Sequence, residues 1–389
     1  MRHHSILWAT LVGVITLTLV AIGSFSAGWY LHSNPFWLTN PILSPIAHQL
    51  DNATTPKPLQ RYSILNLQQY AFQPSFITLG ELLDETAEFQ SFSFTYQTMG
   101  KTMSGQLNLP RQIATTNPPV VVMLRGYVPA EVYTTGTGTK NAAGALAKAG
   151  YITVAPDFFE YGTSDPDFTD TWEARFAKPI QVIELIKTIE TSGIPTTASA
   201  SASVIAASSS AVPSSTIGLW AHSNGGQIAL TTLEILRRAI PTTLWAPVTA
   251  PFPYSVLYFS DELADEGKEQ RAWVAIFEKT YDVFDFSLTQ HLGQLTGPVQ
   301  IHQGTNDDAV LKWWSDEFVD KITAENKRRQ TENKALATQS AEIQAQAAPL
   351  PPVEIEYHLY PGANHNLQPG WDTVVQRDIE FFKKHLTTN

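Results

Sequence analysis

Ser223 stands in AHSNGG, 221–226, one residue short of G-x-S-x-G, the pattern that holds a serine on a sharp strand-to-helix turn with its hydroxyl exposed. Such a turn needs small residues two before and two after the serine, because strand and helix backbones approach each other there. Gly225 and Gly226 meet the need on one side and Ala221, the next smallest choice, on the other. A serine hydroxyl attacks only when a histidine takes its proton and a carboxylate orients that histidine. Among ten histidines, His365 is the candidate base, because YPGANHN, 360–366, is a Gly/Asn loop just past the last predicted strand. His222 adjoins the serine but is expected to point to the other side of the turn as a packing residue. His302 and His358 fall inside strands, where structural roles are expected. For the acid, HQGTNDDAV, 302–310, offers two aspartates. A turn capping the next helix suits Asp308, which leaves Asp307 as the acid.

These residues need a scaffold that delivers them to one edge. FSFTYQ, 92–97, and MSGQLNLP, 103–110, alternate around Gly100 and predict a hairpin. VVVML (120–124), YITVAPD (151–157), TIGLWA (216–221), TTLWA (242–246), PVQIH (298–302) and VEIEYHLY (353–360) predict further strands, several of them continuously apolar, as buried central strands are. Helical patterns lie between them, over 141–149, from Pro179 to about Thr191, and from Gln227 to Ile240. Alternation of this kind implies an α/β architecture: a mostly parallel sheet with helices on both faces and the hairpin as an antiparallel edge. The serine, the aspartate and the histidine then all follow strands at the carboxyl edge, where such sheets place their sites.

Three segments break the rhythm. Residues 192–215, with ASASAS and AASSS, form a low-complexity insertion expected on the surface. Residues 322–352 are polar and close on prolines, as a solvated helical insertion would. Residues 251–297 carry nine aromatic residues from Phe252 to Phe286 and predict a helical cap that walls a pocket.

With 389 residues, 43% hydrophobic, the chain is long enough for a large core. A net charge of −11 without a long basic run argues against nucleic acid as a partner. The absence of cysteine removes disulfides, thiolate catalysis and Cys-based zinc sites. No charge occurs from Ser5 to Leu31, and Trp8 and Trp29 are 21 positions apart, roughly 32 Å along a helix and close to the ~30 Å of a bilayer core. Residues 1–31 are therefore read as a signal anchor, with a cleaved signal peptide ending near Ser26 as the alternative. Arg2 precedes the segment and the next basic residue is Lys57, so the chain beyond it is placed on the extracytoplasmic side of the membrane. Residues 32–60 read as a linker and 61–389 as the folded domain.

The sequence resembles the α/β-hydrolase superfamily, and within it the prolyl oligopeptidase-type serine hydrolases. The resemblance covers roughly 92–385 and rests on LRGY from Leu124, YGTSD from Tyr161, HSNGG from His222, GTNDD from Gly304 and YPGANH from Tyr360. The chain order Ser, Asp, His is also that of the α/β-hydrolases. The resemblance implies an oxyanion hole from Tyr127, through its hydroxyl or its backbone amide, and from the backbone N–H of Asn224. Relatives commonly carry histidine or tyrosine where Arg125 stands, and Arg125 is expected either to bind a substrate carboxylate or to pair with an acid nearby. The residues ahead of Phe92 are too few for the β-propeller of true prolyl oligopeptidases. An esterase acting through Ser223, His365 and Asp307, with no metal and no cofactor, is the expectation. Cleavage of short peptides is the alternative, and a non-catalytic binding protein of the same fold is the rival from another class.

Overall fold

The computed structural model describes residues 56–113, 117–195, 211–212, 216–339 and 350–386. The chain divides into two units, Met1–Pro56 and Lys57–Asn389, and the second holds every strand and helix described below. The expected anchor, 1–31, lies outside the described residues, and among those described no helix is long and apolar enough to cross a membrane.

Nine strands form one sheet: β1 (Thr78–Glu85), β2 (Phe89–Thr98), β3 (Lys101–Pro110), β4 (Val120–Leu124), β5 (Ile152–Pro156), β6 (Ile217–His222), β7 (Thr242–Trp245), β8 (Val299–Gly304) and β9 (Ile355–Tyr360). Their spatial order is β1-β2-β3-β5-β4-β6-β7-β8-β9. The ladders from β5 through β9 are parallel, while β1, β2 and β3 pair antiparallel and β3 joins β5 antiparallel. The predicted hairpin is β2 with β3. The sequence pattern missed β1, which is largely exposed and shifts register twice against β2. Its acidic residues and irregular ladder blunt an open edge.

Each central strand is apolar on both faces because each face meets helices. Val120, Val122 and Leu124 of β4 point into one core, and Val121 and Met123 into the other. The principal helices are α1 (Lys140–Lys148), α2 (Thr171–Phe176), α3 (Lys178–Ser192), α4 (Asn224–Leu236), α5 (Lys268–Glu278), α6 (Lys312–Ala337) and α7 (Trp371–Leu386). The first core takes residues from α3, α4 and α6, and the second takes Leu146 of α1 with Val374 and Phe382 of α7. The α/β architecture read from the sequence is the one observed.

Several boundaries differ from expectation. The segment read as linker to residue 60 is already packed at its end: Pro58–Tyr62 forms a helical turn, Leu59 and Tyr62 are buried, and the Leu59 N–H donates to the Tyr281 hydroxyl at 3.1 Å. The stretch expected as a solvated insertion from 322 continues α6, and Ile322 and Arg329 are buried in it. Arg329 explains why a polar sequence packs, since its guanidinium donates to the carbonyls of Leu292, Gly293, Leu295 and Pro351 and to Glu325. Residues 340–349 lie outside the described residues. So does most of the Ala/Ser segment, of which Ile194–Pro195 and Ala211–Val212 form a short antiparallel ladder.

Two buried glutamates contrast. Glu184 on α3 accepts from the Gln73 N–H, the Met99 N–H and the Thr98 hydroxyl, tying the N-terminal segment to the hairpin turn. Glu234 on α4 is fully buried, and neither carboxylate oxygen has a partner among the described residues. Burial raises its carboxyl well above the ordinary 4.5, so the native state holds that proton more tightly than the unfolded chain does. The resulting contribution to stability is complete below pH 4.5 and is lost as pH rises toward the folded-state value. Glu234→Gln is expected to match the parent near pH 4.5 and to exceed it by about 1 kcal/mol or more at pH 8. Urea unfolding at the two pH values checks this, and a difference independent of pH would contradict it.

Candidate functional site

The parallel strands all end at one edge, and the loops leaving β4, β6, β8 and β9 carry Arg125 to Tyr127, Ser223, Asp307 and His365 respectively. Ser223 joins β6 to α4 in a backbone conformation of φ 55° and ψ −123° that side chains larger than hydrogen rarely adopt. The turn is fixed on both sides: the Ser223 N–H donates to the Trp245 carbonyl at 2.9 Å, and the Ser223 carbonyl accepts from Gly226 at 2.9 Å and Val248 at 3.0 Å. Asn224 is the first residue of α4, so its N–H has no acceptor within the helix. Ala221 is fully buried in the first core. The tightest approach falls instead at Gly225, where a Cβ would lie 2.2 Å from the Leu124 carbonyl oxygen and 2.7 Å from that of Arg125.

Asp307 and His365 meet. The imidazole Nδ1 lies 3.0 and 3.1 Å from the two carboxylate oxygens, and since a carboxylate only accepts, Nδ1 carries the hydrogen and Nε2 is left bare. The Asp307 side chain is buried and also accepts from the N–H groups of Ala309 and Val310 and from Gln303 Nε2. The turn-capping bonds assigned by sequence to Asp308 are therefore made by Asp307, and Asp308 is exposed. One carboxylate holds the loop with one set of lone pairs and the imidazole with others. The β8 and β9 loops are tied together by Thr305 N–H to the Tyr360 carbonyl and Asn306 N–H to that of Ala363.

His222 is placed differently from expectation. Its ring lies 4.7 Å from the His365 ring, and its Nε2 donates to the His365 carbonyl at 3.1 Å, so it braces the histidine loop against the serine turn. Burial, and then the neighbouring His365, lower its imidazole to about 4, which keeps it neutral across the physiological range. No hydrogen bond joins the Ser223 hydroxyl to His365 in this conformation; His222 links their loops instead. The two strands separating β6 from β9 explain the need for such a bridge, at ~4.8 Å per strand.

Arg125 is not open to a ligand. It is 5% exposed, its Nη1 donates to the Gly126 carbonyl at 2.9 Å and its Nη2 to the Asp157 carbonyl at 2.8 Å. Its guanidinium lies 3.9 Å from the Tyr161 ring centroid and 4.6 Å from that of Tyr133. In this buried setting its partners are internal, and they are carbonyls and ring faces rather than an acid side chain. The bond to Gly126 fixes the peptide that carries the Tyr127 N–H, since carbonyl and N–H share one plane. The Tyr127 ring itself is 75% exposed. Gly126 backs directly on Ser223, where a Cβ would sit 2.8 Å from the serine Cβ.

A cavity of about 470 Å³ adjoins the turn, touching it through Asn224 and Tyr127 without including Ser223 or His365. Gln227, Arg175, Lys178 and Tyr62 are among its walls. The segment 251–297, expected as the pocket wall, contributes only Phe286. Its Phe252 and Phe277 are spent on a core with Trp172 and Phe176. The described residues bring Glu354, Glu356 and His385 within reach of one another, but Lys384 already pairs with both glutamates, and the two glutamates lie at the start of β9, the opposite end from the His365 loop.

No protein-family model and no curated protein matches the sequence. Solved structures do match. Acetyl xylan esterase 1 from Thermoanaerobacterium sp. aligns with a TM-score of 0.51 at 12% identity over 87% of this chain and 98% of its own. The Pyrococcus furiosus esterase Pf2001 aligns at 0.50 with 14% identity over 81% and 100%. At such identities the likeness establishes fold alone, and that fold is the α/β-hydrolase fold.

If the turn is as tight as the Gly225 contacts indicate, Gly225→Ala forces two carbonyls apart and lowers stability by about 1–3 kcal/mol or more. The urea midpoint measures this, and an unchanged midpoint would mean that strand and helix have room to separate.

Proposed function

We propose that this chain is a serine hydrolase that cleaves esters through an acyl-enzyme, with Ser223 as nucleophile, His365 as general base and acid, and Asp307 as the carboxylate that orients it. The observation that carries the reading is the Asp307 carboxylate on His365 Nδ1, which leaves Nε2 free to take a proton, beside a serine on a left-handed turn. In this mechanism His365 Nε2 removes the Ser223 proton as Oγ attacks the ester carbonyl carbon. The oxyanion that forms is met by the Asn224 N–H and the Tyr127 N–H, donors worth roughly 3–4 kcal/mol each in such sites. The imidazolium, stabilised by Asp307, returns its proton to the departing alcohol, and water then releases the acid by the same steps in reverse.

The esterase names of the two structural neighbours support esters over peptides. Kinship with the prolyl oligopeptidase type, and short peptides as substrates, rest on the motifs from LRGY to YPGANH alone. The apolar, uncharged 5–31 supports a membrane-anchored protein with its folded unit outside the cytoplasm, and a mature N-terminus near Ala27 would replace that with secretion.

A fluorophosphonate probe is expected to label Ser223 in the folded chain and to leave Ser223→Ala unlabelled; absence of an adduct from folded protein favours a non-catalytic binder. Asp307→Asn is expected to lower kcat by about 10³–10⁴-fold, with Asp308→Asn near the parent. The reverse order would move the acid to Asp308. His222 acts through position, so His222→Phe is expected to lower kcat about 10- to 100-fold with little change in KM. His222→Gln, which retains an N–H donor, should keep more of the activity, and equal losses for both would deny the bracing bond its role.

A further inference from the structure

Arg175 is a cation without a counter-ion. It lies on α2 in the wall of the 470 Å³ cavity, partly buried, and among the described residues no carboxylate pairs with it. Its Nη2 donates to Gln227 Oε1 at 2.8 Å, a neutral acceptor that fixes the guanidinium without neutralising it. Nε is shielded and unpartnered, and Nη1 makes no hydrogen bond with the described residues. The neighbouring Lys178 is already turned to Asp167, at 3.5 Å, and Glu160 stands exposed at the rim with its carboxylate on the Asp167 N–H. Burial lowers the Arg175 guanidinium to about 10, and it remains protonated at neutral pH. An unpaired charge in a mostly apolar cavity is costly to hold empty and is the feature that selects an anionic ligand.

The position of this charge relates it to the serine. Gln227 is four residues after Ser223, one turn of α4 and about 6 Å along the axis. Arg175, Gln227 and Asn224, the residue that follows the serine, all line the one cavity, so the guanidinium held by Gln227 shares that space with the end of the serine turn. We propose that the cavity receives the non-reacting end of an ester that bears a carboxylate a few bonds from the scissile carbonyl, and that Arg175 is the residue that binds this carboxylate. The inference rests on the hydrolase reading and deepens it: the substrate class is a half-ester of a short dicarboxylic acid or its chemical equivalent.

The test compares monoethyl glutarate with ethyl valerate, which match in chain length and differ in the terminal charge. Hydrolysis breaks the ester C–O bond of either, adds water and releases ethanol and the acid. The full-length chain is expected to favour the acidic ester at least tenfold in kcat/KM. Arg175→Gln should reduce that preference at least tenfold, and Arg175→Lys, which keeps the charge but not the fork, severalfold. Glutarate should slow fluorophosphonate labelling of Ser223 in the parent and not in Arg175→Gln. A parent with no preference for the acidic ester, or a preference that Arg175→Gln leaves intact while both rates fall together, would overturn the assignment and leave Arg175 a structural residue. If Ser223 takes no label and neither ester is cleaved, the hydrolase reading fails and the inference with it. If Ser223 is labelled and esters are cleaved without regard to Arg175, the inference alone fails.

Discussion

The site depends on the close approach of α4 to the end of β4. Gly225 lies against the carbonyls of Leu124 and Arg125, and the missing side chain lets the helix begin immediately after the strand. Ser223 takes up the change of direction in a left-handed backbone whose cost is on the order of 1–3 kcal/mol. That conformation persists because its own N–H and carbonyl are anchored to Trp245 and Val248 on the neighbouring strand and its loop. Moving α4 outward would shift the Asn224 N–H and Gln227 together, since both belong to that helix, and would pull on the serine that joins it to β6.

A second constraint is electrostatic. The strand ends deliver loops, but loops hold a geometry only when their polar groups are satisfied. Asp157 does this at the β5 end, accepting from the hydroxyls of Ser104, Tyr133 and Thr135. Tyr133 in turn covers Arg125, whose bonds to the Gly126 and Asp157 carbonyls join the β4 and β5 loops. On the other flank Asp307 combines loop capping with orientation of His365, and His222, kept neutral by burial, spans from the serine turn to the histidine. In the proposed mechanism a charged imidazole at 222 would repel the imidazolium formed at His365, so its lowered basicity suits the same arrangement.

The strands and the loops that carry Ser223, Asp307 and His365 were legible because each is a local signal. Five apolar residues at 120–124 can only be a buried element, and a Gly/Asn loop after a strand can only lie at its end. Pairing across the fold was not legible. His222 and His365 are distant in sequence, and alternation along β6 gave no hint that a loop from β9 folds back over it. Arg125 read as a cation for a carboxylate, of a substrate or of a nearby acid, because its aromatic partners, Tyr133 and Tyr161, come from separate loops. Arg329 read as part of a solvated run because its acceptors are backbone carbonyls of residues 292–295 and 351, which carry no sequence signature. The edge strand β1 was invisible for a related reason, since a strand with neither face buried has no period-2 pattern to read.

The same distinction applies to the wall of the cavity. The aromatics of 251–297 looked like a pocket wall, yet their burial against Trp172 and Phe176 makes them a support beneath α2. The cavity wall is instead assembled from α2 itself, from Tyr62 and Leu67 near the start of the folded unit, and from Tyr127 beside the serine. The support and the wall are therefore mechanically linked: Phe252 and Phe277 pack on Trp172 and Phe176 of the short helix that also carries Arg175, and a change that loosens that aromatic core moves the cation without touching the serine. In the proposed enzyme the chemistry would rest on the sheet edge and α4, and recognition on a helix whose position is set by its aromatic packing. One can then vary across evolution or design while the other stays in place.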